Sequence, residues 1–278
     1  MTVQDLTASL MSAGLAARAR EIAALSRPAI GIDVRPCAQN ALALGVPRFG
    51  GVPDVPIDFR WPTYRKRPLA FLGQLDLSVI PEANGSPLPR SGTLAFFYDV
   101  ESMEWGFDPK NRGCAHVAYF DRRTRLVRTM PPAKAAVSTP CELTFTSRVD
   151  LVDSGDLLFQ SIESTLTEEH LDAYWRVLSA LYPREYHHLL GHPQLVQNDM
   201  RLECQLVTSG VYMGSGGSAA ARKRETPAAV DWELLLQLDS DERTGWMWGD
   251  CGRIYFWIRK QDLAACRFEN TWLVLQCS

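Results

Sequence analysis

Apolar residues recur at three- and four-residue steps late in the chain. Leu171, Tyr174, Trp175, Leu178, Leu181 and Tyr182 share one face of a 3.6-residue period. Thr167 is placed to cap the helix, Glu168 and Glu169 suit its positive end, and Pro183 stops it. The spacing therefore predicts a helix over 167–182 whose stripe serves packing. A second helix is expected over 2–26, opened by a capping box of Thr2 and Asp5 and stopped by Pro28. Its stripe of Leu6, Leu10, Ala13, Ala17 and Ala24 is rich in alanine, which suits close packing on a flat surface.

Elsewhere the pattern shortens to apolar and aromatic runs between turn residues. Strands are expected at 68–77, 92–98, 115–120, 124–129, 232–239, 252–258 and 271–276, with the turn-rich segment 84–92 separating the first two. Residues 45–62 are too dense in glycine and proline for a helix or a central strand. They predict an ordered, irregular loop pinned by Phe49, Phe59 and Trp61. Residues 214–230, small side chains around a short basic run from Arg222 to Arg224, predict a mobile, solvated loop.

The order of these features repeats. Gln74-Leu75-Asp76 ends one apolar run and Gln237-Leu238-Asp239 ends another. Each is followed by a glycine, Gly92 or Gly252, that opens an aromatic strand, and Gly51-Val52-Pro53 upstream has a counterpart in Gly191-His192-Pro193. The expectation is an α+β fold: antiparallel sheets from an internal duplication of two related halves, each led by a helix. One domain spans 1–278, with pseudo-repeats at about 1–150 and 160–278 and a cleft where the halves meet. The repeated Gln74, Asp76, Gln237 and Asp239 are expected to hold strand-to-loop turns by side-chain hydrogen bonds.

Composition narrows the function classes. With 29 basic and 32 acidic residues the net charge is -3, which gives no global pull toward nucleic acid or an anionic membrane. Seven widely spaced cysteines without a CxxC pair suit free thiols rather than a secreted disulfide framework. No apolar run approaches the roughly 20 residues of a membrane helix, and no signal-peptide pattern opens the chain, so the expected location is the cytoplasm.

The most unusual local composition lies over 239–250. Asp239, Asp241 and Asp250 stand with Trp246, Trp248 and the neighbouring Arg253, a set fit to bind a partner or ligand. The competing interpretation is a hairpin loop with its tryptophans in the core and its aspartates in turns. The aspartates match no complete calcium loop. His187, His188 and His192 lack convincing zinc spacing, because Gly191 and Pro193 interrupt any helix there. Cys251 is read as a small residue starting a strand, Gly214–Ser218 is not a phosphate loop, and Arg222–Arg224 is read as solvated surface. No metal or cofactor is implied.

Several stretches carry a resemblance. They are Gly50–Pro53 through Trp61-Pro62, Pro68–Leu77, Leu88-Pro89, Gly92–Asp99, Leu190–Pro193 with Gln197–Met200, Leu235–Asp241, and Trp248–Ile258. In these the chain resembles the YwqG-like family, a bacterial domain of unknown function. The resemblance implies a compact α+β protein of two related halves and carries over no catalytic residues. Members of that family are similar to accessory proteins encoded beside bacterial toxin systems. The expected function is a non-enzymatic protein-binding module, of the kind that binds and neutralises a toxin as an immunity protein does. The alternative is a small-molecule binder or enzyme with its cleft between the halves.

Overall fold

The computed structural model describes residues 2–81, 86–182 and 186–278. Its frame is one ten-stranded antiparallel sheet that curls into a nearly closed barrel. In chain order the strands are β1 (Arg27–Pro36), β2 (Arg48–Phe49), β3 (Ala70–Asp76), β4 (Thr93–Tyr98), β5 (Ala115–Phe120), β6 (Cys141–Asp150), β7 (His187–Leu190), β8 (Trp232–Asp239), β9 (Arg253–Arg259) and β10 (Trp272–Gln276). Their order across the sheet is β10-β9-β8-β7-β1-β6-β2-β3-β4-β5. The long β1–β6 pair, in register from Arg27↔Asp150 to Pro36↔Cys141, occupies the middle. Four strands follow on either side, each set in reverse chain order from the other.

The two sides match in detail. Gln74 on β3 pairs with Arg48 on β2, and Gln237 on β8 pairs with His188 on β7. The β3–β4 ladder is bulged between Phe71 and Gly73, and the β8–β9 ladder between Leu234 and Leu236. Each bulge ends immediately before the glutamine. Where the short strands end, Gly50 and Gly51 just past β2 have positive φ, as do Leu190, the last residue of β7, and Gly191. Phe96 of β4 and Phe256 of β9 meet edge to face inside the barrel, with centroids 5.2 Å apart.

The expected N-terminal helix is split. α1 (Val3–Leu10) opens with the Thr2–Asp5 capping box, but the chain turns at Gly14, whose φ is 95°, before α2 (Ala19–Ala24). Only glycine enters that conformation at little cost. The kink redirects the apolar face, so Leu15, Ala19 and Ile22 are buried while Ala17 and Ala24 are exposed. This pair packs against α3 (Glu168–Leu181), where Tyr174 stacks on Phe159 at 4.8 Å. The expected stop of α3 at Pro183, and part of the turn at 84–92, lie outside the described residues.

The expected loop over 214–230 is instead mostly helix. α5 (Ala219–Ala229) is capped by Ser218, whose hydroxyl accepts the Ala221 amide, and it lies on α4 (Arg201–Thr208). Alanine, arginine, lysine and glutamate are good helix formers, and burial of Ala221 and Ala229 supplies the docking face. α4 in turn covers the outer face of β8–β10 through Met200, Cys204 and Val207 against Trp232, Trp257 and Trp272. No helix among the described residues is long and apolar enough to cross a membrane.

Candidate functional site

A cavity of about 520 Å³ opens between α4, α5, the end of β10 and the segment that follows β4. Its aromatic wall is Trp105 and Phe107, whose ring centroids lie 6.4 Å apart. Backbone chemistry fixes this wall. The Trp105 carbonyl accepts the Leu275 amide at 3.0 Å, and the Gly106 carbonyl accepts the Trp272 indole N–H at 2.8 Å. Gly106 has a φ of 86°, and a β-carbon there would overlap the Leu273 carbonyl oxygen. Glycine is therefore what lets the segment lie against β10. Phe107 then accepts the Met213 amide at 2.8 Å through its carbonyl, tying the wall to the Met213–Gly216 turn beneath α5.

The lining also carries two carboxyl groups, Asp199 just before α4 and Glu203 in its first turn. Asp199 is engaged by backbone: Oδ1 accepts the Leu202 amide and Oδ2 accepts the Leu157 amide, both at 3.0 Å. The helix itself is anchored by Arg201, which is fully buried, pairs with buried Asp156, donates to the Trp232 carbonyl and lies over the Trp257 ring. Glu203 accepts no hydrogen bond from any described residue. Burial pushes its carboxyl up to about 7, and the Asp199 charge adds to the shift while Arg222 opposes it. The Asp199 carboxyl is also raised, mainly by burial and by the charge of Asp156. Arg222, exposed on α5, donates from Nε to the Gly216 carbonyl at 2.7 Å.

The residues singled out over 239–253 do not line this cavity. Trp246 and Trp248 are 4% and 1% exposed, and pack against each other at 5.6 Å. Their indole N–H groups are satisfied by the Ser138 hydroxyl and the Asp239 carbonyl. Buried Asp239 accepts from Arg253 Nε at 3.0 Å and from the Tyr186 amide at 3.1 Å. Buried Asp241 accepts from Arg243 and faces His187 Nε2 at 3.0 Å. Because His187 Nδ1 accepts the Asp239 amide, Nε2 carries the proton and donates to Asp241. Burial opposes ionisation of Asp241, yet the hydrogen bonds from His187 and Arg243 hold it well below the usual carboxylate range. Asp250 is exposed at the turn before β9. Arg253 also borders a smaller pocket of about 250 Å³ with Asp153, Trp175 and Tyr182.

The repeated glutamines are structural. Gln74 Oε1 accepts the Asp54 amide at 2.8 Å and its Nε2 donates to the Val46 carbonyl at 3.1 Å. Gln237 Oε1 accepts the Gln194 amide at 2.9 Å and its Nε2 donates to the Tyr186 carbonyl at 2.9 Å. Asp76 holds its turn by accepting from the Ser78 amide and hydroxyl. A β-carbon on Gly92 would crowd the Phe120 carbonyl, and one on Gly252 would overlap the Gln276 carbonyl, so each glycine lets the next strand approach.

The three clustered histidines are fully buried. His188 stacks on Tyr186 at 4.3 Å, and Tyr186 donates to Asp150 at 2.9 Å. Burial pushes the Asp150 carboxyl up to about 7 and holds His188 down at about 3. Sequence reasoning passed over Glu203 and met Asp199 only inside a resembling stretch. The available signal was an acidic pair four residues apart, interleaved with buried Met200, Cys204 and Val207.

No curated protein matches the chain. The Domain of unknown function (DUF1963) matches residues 47–277, which takes in both sides of the sheet and every wall of the cavity, and the chain belongs to that family.

Proposed function

We propose that the protein binds a small polar molecule in the cavity between the aromatic wall and α4. The observation that carries this reading is that the aromatic pair Trp105 and Phe107 and the carboxyls of Asp199 and Glu203 line one cavity of about 520 Å³. That volume and mixed lining suit a small-molecule site. Trp105 and Phe107 come from the first half of the chain and α4, α5 and β10 from the second, so the site lies where the halves meet. The toxin-binding reading ranks second, because its expected anchors Trp246 and Trp248 are buried and hydrogen-bonded within the fold.

We further infer that the scaffold is a duplication whose units are β1–β5 and β6–β10. The matched bulges, the matched glutamine hydrogen bonds and the mirrored strand order support it. On this reading the second unit begins at β6, at residue 141, earlier than the helix-led boundary near 160.

A ligand-observed NMR screen of polar metabolite-sized molecules tests the binding site. Leu202→Trp, which fills the cavity from α4, is expected to weaken any hit at least tenfold while leaving the circular dichroism unchanged. Hits that bind Leu202→Trp with full affinity would place the site elsewhere. A single tight protein partner, with no small-molecule hit, would favour the toxin-binding reading.

A further inference from the structure

We infer that this cavity recognises a cation: an ammonium or guanidinium group held between the Glu203 carboxylate and the rings of Trp105 and Phe107. The inference rests on the ligand-binding reading above and narrows its chemistry.

The charge balance of the lining points that way. Its charged side chains are Asp199, Glu203 and Arg222, which leave one negative charge unbalanced when both carboxyls are ionised. Asp199 spends both oxygens on backbone amides. Arg222 is directed to the Gly216 carbonyl and forms no ion pair with Glu203 within 4.0 Å. Glu203 is thus a half-buried carboxyl that accepts no hydrogen bond and forms no ion pair with any described residue, with Arg222 as the opposite charge that acts on it. Such a group is costly to ionise alone, and a bound cation removes that cost. The aromatic part of the lining suits the same ligand. Trp105 is 37% exposed, and ring faces attract ammonium and guanidinium groups. Gln160, Gln197 and Asn198 add amide oxygens to the lining as further acceptors.

Other ligand classes fit less well. An anion would meet two carboxyls and one arginine already engaged. A divalent metal ion would find two carboxyls, one of them taken by amides, and no group of three or more metal-ligating side chains occurs among the described residues. A neutral polyol would satisfy Glu203 only in its protonated form and would gain nothing from its ionisation.

The consequence is a proton linkage. Below about pH 7 the unliganded site holds a proton on Glu203, because burial and Asp199 oppose ionisation more than Arg222 favours it. A cation displaces that proton. Affinity therefore rises with pH up to about 7 and levels off above it, a gain of roughly tenfold between about pH 6 and about pH 8 for one ionisation.

Titration calorimetry on the full chain tests this, with agmatine and n-butylamine as cationic probes and glucose and n-butanol as neutral ones. Running each in two buffers of different ionisation enthalpy counts the protons released. The cations are expected to bind at least tenfold more tightly than the neutral probes and to release about one proton near pH 6. Glu203→Gln is expected to lose about tenfold in affinity together with the pH dependence. Trp105→Leu, at an exposed position, is expected to weaken the cations severalfold and leave the pH dependence intact. Equal affinity for neutral probes, or an unchanged pH profile in Glu203→Gln, overturns the cation assignment while the cavity stands as a binding site. Failure of every probe, in a protein whose polar hits ignore Leu202→Trp, overturns both.

Discussion

Replacing Gln237 by leucine isolates what the repeated glutamine does. The side chain is fully buried, and leucine nearly conserves its volume, so packing changes little. Two backbone groups lose their partner: the Gln194 amide, now 2.9 Å from Oε1, and the Tyr186 carbonyl, now 2.9 Å from Nε2. Leaving a buried polar group unsatisfied costs about 1–3 kcal/mol, so the pair costs about 2–6 kcal/mol. The more apolar leucine returns about 1 kcal/mol. A net loss of about 1–5 kcal/mol is expected, read as a lower urea midpoint with an unchanged slope. Gln74→Leu strands the Asp54 amide and removes a donor from the Asp54 carboxylate, while the Val46 carbonyl keeps its longer bonds from Arg48, so its cost should fall in the lower part of that range. The two sites share no partner, so the double variant should lose the sum within about 0.5 kcal/mol. A loss below about 0.5 kcal/mol for either single variant would refute the claim that these glutamines hold the loops onto the sheet.

Three further outcomes are expected. Asp150 has its folded pKa raised to about 7, above an unfolded value near 3.9, so its contribution to stability is fullest at low pH. That contribution is lost as pH rises from about 4 to about 7, and Asp150→Asn should flatten stability over that range in urea titrations. Asp241, shifted the other way, should cost stability only when pH falls below about 4. Gly106→Ala pushes a β-carbon into the Leu273 carbonyl at a φ of 86°, so it should abolish cavity binding and redshift Trp105 emission as the wall detaches from β10. Trp246→Ala should cost about 3–5 kcal/mol of stability in denaturant, because the ring is buried against Phe49 and Trp248. A stable Trp246→Ala variant that loses a protein partner would restore the surface-anchor reading.

The outer strands were legible because β3, β4, β8, β9 and β10 are continuous apolar runs, buried on both faces. The central strands were not. β1 hides behind Pro28 and the small Gly31. β6 exposes Glu142, Thr144 and Ser147 and so alternates weakly. β7 is four residues long and half histidine, and its burial comes from β1 and β8 on either side. These strands are specified by long-range pairing, which local periodicity does not record. α5 has almost no one-sided apolar face, so its composition of helix formers was read as low complexity. For the candidate site, Arg222 was noticed but assigned to open solvent. For Glu203 the local signal is only its four-residue spacing from Asp199, since its properties come from the burial and charges that the fold arranges around it.

The proposed duplication accounts for where the cavity is. On the duplication reading, the connection from β2 to β3 over 50–69 corresponds to the connection from β7 to β8 over 191–231. The second is about twice as long, and the added length holds α4 and α5 with Asp199, Glu203 and Arg222. The connection from β4 to β5 likewise corresponds to that from β9 to β10. The first extends over 99–114 and delivers Trp105 and Phe107, while the second is filled by a short helix, Lys260–Ala264. The shared parts, the glutamines, the bulges and the strand-opening glycines, hold the sheet. The aromatic and the acidic parts of the cavity lining are each supplied by a connection whose proposed counterpart differs. A scaffold repeated for stability can carry a ligand site only where its two copies depart from one another, because a strictly repeated unit would place aromatic and acidic walls on both sides of the sheet. The functional residues of this protein are therefore to be sought in the connections that break the repeat rather than in the motifs that announce it.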